Sequence, residues 1–181
     1  MRPILSEIHT FRQHKVTLLN SPEKYKPNCC PHCFCVTLWC HGSYPRKPDR
    51  IHVASQSLND IAIARFKCAD ESCGRTCSTL PECIPPRRWY PWINQQWCLW
   101  FLLIGYSINQ VDSILPMARS TIVRWKNWLD DNFNIYHRLL KNKFPNFGYF
   151  ENKTTFWTKW LEKYSLSHAM ITLNNQQVIV P

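Results

Sequence analysis

The sequence predicts an α+β protein: a cysteine-rich stretch of short antiparallel strands, then a three-helix bundle, then a mostly helical tail. Three observations predict it. Nine of the ten cysteines fall within residues 29–83, interleaved with short β-type runs. From Ile93 the apolar spacing becomes helical, and signals at Ser107 and Pro116 cut it into three pieces. Between the two regions lies "PECIPPRRWYPW" (Pro81 to Trp92), whose prolines lack the N–H groups that regular structure needs.

Residues 1–28 are polar and mixed, with weak helical patterning. The N-terminus "MRPILSEIHTFRQHK" lacks the apolar core and cleavage site of a secretory signal, so a cytoplasmic, nucleoid-associated protein is expected. In that reducing compartment ten cysteines point to metal binding or burial rather than disulfides. The longest apolar run, "WCLWFLLI" (Trp97 to Ile104), is less than half a bilayer span, and no membrane partner is expected. Lys and Arg number 22 against 12 Asp and Glu, a formal charge of +10. That balance suits a polyanionic partner, double-stranded DNA first.

Within residues 29–83 the β-type runs are Val36 to Trp39, Arg50 to Ser55 and Ile61 to Phe66. Gly42 to Arg50, "GSYPRKPDR", reads as a turn. Cys30-Pro31-His32-Cys33 is a C-x-x-C pair, and after 34 intervening residues Cys68 and Cys73 form a second pair with four residues between them. Two such pairs separated by strands fit a tetrahedral four-thiolate Zn²⁺ site, one structural ion per chain. Each pair forms a tight turn whose backbone N–H groups can face the sulfurs. Such turns call for a left-handed residue after the second cysteine, which Gly74 supplies; Phe34 stands at the matching place in the first pair. Rival donors are Cys29 in place of Cys30, Cys35 beside Cys33, and Cys77 or Cys83 in the second pair. The competing reading is a set of buried, reduced thiols. His32, inside the first loop, is expected to face solvent. The ribbon so defined is followed by a basic linker at 84–92.

Residues 93–133 read as a helix-turn-helix. In the first helix Ile93, Trp97, Trp100, Phe101 and Ile104 form a stripe, and the helix is apolar almost all round, so it belongs at the centre of a bundle. Ser107 and Gln110 make a capping box for the second helix, which places Ile108, Val111, Ile114 and Leu115 on one side. After the break Pro116 to Ala118 comes "RSTIVRWKNWLDDNF". Ile122, Trp125, Leu129 and Phe133 face inward on it; Ser120, Arg124 and Asn127 face outward, flanked by Thr121 and Val123, with Arg119 and Lys126 on the shoulder. That outer face suits a recognition helix in the major groove. The competing reading is an ordinary bundle with a solvated face. Arg87 and Arg88 in the linker, and Arg46 and Lys47 in the first hairpin, are further phosphate-binding candidates. The extension 134–181 is mostly helical, clearest at Thr154 to Tyr164, and ends in a polar run.

The order "CPHC", "LWCHGSYPRK", "RFKCADESCGRTCSTLP", "PPRRWY" and then a helix-turn-helix resembles the zinc-ribbon and helix-turn-helix region of bacterial insertion-sequence transposases and of their stand-alone accessory proteins. The resemblance covers roughly residues 29–133. It implies Cys30, Cys33, Cys68 and Cys73 as ligands, and Trp39, His41, Gly42 and Tyr44 as hairpin structure. The chain departs from the pattern in the wider second cysteine pair, in Pro116 where a glycine is usual, and in Cys40 and Cys77.

Such transposases cut DNA with an Asp-Asp-Glu triad and two metal ions. Beyond Phe133 the acids are Glu151 and Glu162, in 48 residues. No nucleophile arrangement is legible either, so the expectation is a DNA-binding factor of a mobile element without a catalytic domain. Its partners would be duplex DNA and a transposase or a second copy. The alternatives are the front part or compact form of a DNA-cleaving transposase or nuclease, and a host transcription regulator.

Overall fold

The computed structural model describes residues 4–46, 61–86, 90–150 and 152–180. It is α+β, with seven α-helices and small sheets among the described residues. The chain divides into two compact units, residues 1–91 and 92–181.

The first unit runs β1 (Ile4–Leu5), α1 (Phe11–Asn20), a 3₁₀ turn (Pro22–Tyr25), β2 (Leu38–Arg46), β3 (Ile61–Cys68), β4 (Thr76–Cys77) and β5 (Leu80–Pro81). Strands β2, β3 and β4 form an antiparallel sheet in that order. The register of β2 shifts between Cys40 and Ser43, where Gly42 takes φ +72°. That conformation suits a residue without Cβ and lets the strand bend over the core.

Residues 42–46 therefore continue a strand rather than turn, which corrects the turn expected from Gly42 onward. The rest of that turn and the run Arg50 to Ser55 lie outside the described residues. The proline-rich segment also holds regular structure: β1 pairs parallel with β5, Ile4 opposite Leu80 and Leu5 opposite Pro81. A proline is tolerated there because the strand lies at an edge and is two residues long.

Helix α1 begins at Thr10, whose hydroxyl accepts from the Gln13 N–H. It carries the buried His14, whose ring meets the Tyr25 ring edge-on at 5.2 Å. His14 Nε2 lies 3.0 Å from the Ala62 carbonyl, so that nitrogen donates, and Nδ1 accepts from the Tyr25 hydroxyl at 2.5 Å. The weakly patterned N-terminal segment is thus pinned to β3. One face of β3 places Ala64, Phe66 and Cys68 in a core with Ile8, Tyr25, Cys30 and Leu38. The other face places Ile61 and Ile63 against Leu80 and Ile84.

The second unit is helical: α2 (Trp92–Leu103), α3 (Ile108–Ile114), α4 (Arg119–Asp131), α5 (Phe133–Lys143), α6 (Lys153–Lys163) and α7 (Leu166–Asn175), with a 3₁₀ turn at Pro145–Phe147. The capping box of Ser107 and Gln110 is present. Helix α2 packs against α3, α4, α6 and α7, but not by the expected stripe. Trp92, Gln95, Cys98 and Leu99 are buried, whereas Trp97 is 51% exposed and Ile93 and Ile104 are similarly open. An all-round apolar helix has little periodicity to mark its buried side. The partners mark it: α6 and α7 come far later in the chain, and the Leu166 N–H at the start of α7 donates to Gln96 Oε1 at 2.7 Å.

Three further departures concern the C-terminal half. Ile114 is exposed rather than packed with Val111. Helix α4 stops at Asp131, and Phe133 opens α5 instead of closing α4. The tail holds three helices, not one clear helix and a polar end; Leu166, Ala169, Met170 and Leu173 of α7 are fully buried. Rings of Phe144, Phe147, Phe156, Trp160, Tyr164 and His168 form a continuous aromatic cluster with centroids about 5–6 Å apart. No helix among the described residues is long and apolar enough to cross a membrane.

Candidate metal centre

Two turns bring the four cysteines together. In the first, the Cys30 N–H donates to the Cys35 carbonyl and the Phe34 N–H to the Cys30 carbonyl. In the second, the Cys68 N–H donates to the Arg75 carbonyl, while the Cys73 and Gly74 N–H groups both donate to the Asp70 carbonyl. The Ala69 N–H donates to the Thr37 carbonyl and ties the second turn to the residue leading into β2.

The two extra residues of the second pair have a structural use. The Asp70 carboxylate accepts from the Ser72 N–H at 2.9 Å and from the Ser72 hydroxyl at 2.6 Å. A small side-chain-closed turn therefore absorbs the insertion and returns Cys73 to its place. Those bonds also hold the Asp70 carboxyl below its usual range.

Phe34 and Gly74 both adopt left-handed backbone. The sulfurs of Cys30 and Cys73 are 3.8 Å apart, those of Cys33 and Cys68 3.4 Å, and all four lie within 4.8 Å of one another. Four sulfurs tetrahedrally placed at a zinc–sulfur distance of about 2.3 Å stand about 3.8 Å from each other, so the spacing fits a tetrahedral ion. Every cysteine described is a free thiol. These four could hold a metal ion, and no other group of three or more His, Cys, Asp or Glu side chains among the described residues could.

The electrostatics favour a cation. Burial opposes ionisation of Cys30, but N–H groups of His32 and Cys33 and the neighbouring thiols outweigh it and bring the thiol to about 7. Cys68 is pushed up by burial and by the other three sulfurs. One thiolate forms readily, and Cys33 and Cys68 then resist; a divalent ion at the centre reverses that repulsion.

The rival donors lie outside this group. Cys35 turns its thiol to the Thr37 carbonyl, Cys77 sits in the hydrophobic core, and burial pushes the Cys83 thiol up to about 12. Cys29 is not among the four either. His32 is exposed, with its Nδ1 3.4 Å from Arg75 Nη1.

On α4, Arg119, Ser120, Arg124 and Asn127 are exposed, and Ile122, Trp125 and Leu129 are buried beneath them. Thr121 is not part of that outer face: it is 8% exposed, because its position turns it toward the interior beside Ile122. Lys126 is exposed but committed, its Nζ 2.7 Å from Asp130 one turn on. Asp130 also binds Lys153 at the start of α6, at 2.9 Å. Arg46, in the first unit, donates to the Pro85 carbonyl and is half-buried. Lys47, Arg87 and Arg88 lie outside the described residues. Comparison with family models, with curated proteins and with solved structures finds no match for this chain.

Proposed function

We propose that the chain is a sequence-specific DNA-binding factor of a bacterial mobile element, with one structural zinc ion and α4 as its recognition helix. The observation that carries the reading is the two-sidedness of α4. Buried Ile122, Trp125 and Leu129 anchor it, and exposed Arg119, Ser120, Arg124 and Asn127 face away from them. A short helix, a break of four residues and α4 is the order a helix-turn-helix requires. Arginine and asparagine at that face can read guanine and adenine edges in the major groove, and serine can bond either a base or a phosphate. The excess of basic residues supplies affinity for the backbone.

Zinc, once held by Cys30, Cys33, Cys68 and Cys73, would act as a fold-stabilising ion. Four thiolates leave no open coordination position for a substrate or water, which fits a structural role and not a catalytic one. The metal-binding segment has only small hydrophobic cores, so the ion would contribute much of its folding free energy.

Selection of duplex ligands from a random library, followed by gel shift, tests the reading. A selected sequence should emerge, and Arg124→Ala should weaken its binding by about 1–3 kcal/mol while relaxing preference at one base position. Failure to enrich any duplex, or an Arg124→Ala protein with unaltered affinity and preference, would remove α4 as the reader.

A further inference from the structure

One face of the three-stranded sheet is covered at one end, where Ile61 and Ile63 meet Leu80 and Ile84, and is open toward the Cys68 end of β3. Trp39 pairs with Lys67, and Lys67 pairs with Thr76, so the three form one row across β2, β3 and β4. Directly opposed residues project to the same side of a sheet, so their side chains share a face. The next row, Cys40, Phe66 and Cys77, projects to the other side, where Phe66 and Cys77 are buried. On the open face all three side chains are exposed, Trp39 by 62%. Two residues along β3 on the same face, Arg65 lays its guanidinium over the Tyr44 ring, 4.8 Å from the centroid.

The charge on these strands is one-sided. β2, β3 and β4 hold Arg46, Arg65 and Lys67 and no Asp or Glu. Among the described residues no ion pair involves Lys67, and the strand register places it across from Trp39. A single exposed aromatic is ordinary on a protein surface. An indole flanked in register by an uncommitted lysine, on an acid-free sheet, is a surface with a ligand chemistry: a flat π-face for stacking, with cations beside it for phosphates.

We propose that this face binds single-stranded nucleic acid, one base stacking on Trp39 while Lys67 holds an adjoining phosphate. The single strand is favoured over duplex because a base offers its π-face only when it is not already stacked within a helix. The site does not depend on α4, so it stands beside the duplex-reading proposal and does not rest on it. It would serve a protein that must hold a melted or processed strand as well as recognise a duplex.

The test uses the full-length, metal-loaded chain and fluorescence anisotropy with a short labelled oligonucleotide of mixed sequence, as DNA and as RNA. Trp39→Ala should weaken single-strand binding about tenfold, and Trp39→Phe should retain most of it. Lys67→Ala should weaken binding less and reduce the salt dependence. Arg124→Ala should leave single-strand binding unchanged. A loss on Trp39→Ala shared by DNA and RNA fits stacking alone; a loss confined to one sugar identifies the strand the face takes. Metal content and melting temperature check the Trp39→Ala fold. If that variant proves unstable, Trp39→Leu, which keeps apolar bulk without a π-face, and Lys67→Glu carry the same test. Undetectable single-strand binding, or Trp39 and Lys67 variants that bind as the parent does, would overturn the proposal. Neither outcome bears on duplex recognition by α4, which the Arg124 variant reads separately.

Discussion

Phe34 and Gly74 hold the same left-handed backbone, φ +62° and +51°, each directly after the second cysteine of its pair. In that conformation a Cβ crowds the following carbonyl, at about 1–2 kcal/mol for an ordinary residue. Phe34 bears that strain while 74% exposed, so it recovers little by burial. At Gly74 an added Cβ would meet nothing nearer than the Glu71 carbonyl at 3.9 Å, so backbone conformation alone sets the penalty there. Phe34→Gly should stabilise the metal-loaded protein by up to about 1 kcal/mol and Gly74→Ala destabilise it by about the same, after the unfolded-state entropy of glycine is included. Urea denaturation checks both. Shifts of the same sign would show that something other than φ governs these turns.

Metal analysis of the purified chain should find about one zinc ion. Cys33→Ser and Cys68→Ser should abolish binding and melt the first unit, because each removes one of four thiolates from a closed site. Cys35→Ser should keep the metal, since that thiol turns to the Thr37 carbonyl. A Cys35→Ser protein without metal would redraw the ligand set.

Trp125 is buried on the inner side of α4. Trp125→Ala should cost about 3–5 kcal/mol, the usual range for truncating a large buried aromatic, and should lower the helical signal at 222 nm. Retention of the parental melting temperature would place the indole outside the core.

Gln95 is fully buried on α2, and neither its amide nitrogen nor its amide oxygen has a hydrogen-bond partner among the described residues. Leaving such a group unpaired costs about 1–3 kcal/mol, whereas an apolar replacement of similar shape avoids that penalty. Gln95→Met should therefore raise the midpoint of chemical denaturation. A marked drop would reveal a partner that the amide needs.

Stability should fall with acid through His14. Burial is the larger influence and holds its imidazole below the usual range; the Ala62 carbonyl, accepting from Nε2–H, pulls the other way. The unfolded chain takes up this proton near pH 6.5, the folded chain only at lower pH. The contribution is then complete above about pH 6.5 and is lost as the pH drops from there toward the folded value. Denaturation at pH 7.5 and pH 5 should show a smaller acid loss for His14→Gln than for the parent. Equal losses would assign the pH dependence to other groups.

Several local features could be read from the sequence because the physics behind them is local. The two cysteine pairs carry their turns within a few residues of backbone. Ser107 and Gln110 cap α3 across three positions, and the inner residues of α4 recur at helical spacing between Arg119 and Asp131. Each of these answers to bonds or periodicities contained in a single short segment. The Asp70–Ser72 turn was also within reach, because an Asx side chain two positions before a serine is a known local closure.

Other features depended on residues distant in sequence. Helix α2 is apolar almost all round, so its sequence could not say whether Trp97 or Leu99 faces inward; packing against α6 and α7 decided it. The parallel pairing of Ile4–Leu5 with Leu80–Pro81 joins segments too short and too far apart to signal each other. Helix α7, polar at its end, is held by an apolar side that only the assembled bundle covers. The exposure of Trp39 follows from a register that places it opposite Lys67, beyond the end of the sheet side that Leu80 and Ile84 cover. By itself the sequence determined the cysteine spacing, the caps and the two-sidedness of α4, since neighbouring residues impose these on one another. The tertiary structure alone decided which apolar faces are buried and which cations remain free, because burial and ion pairing are settled by whatever partner the fold brings across.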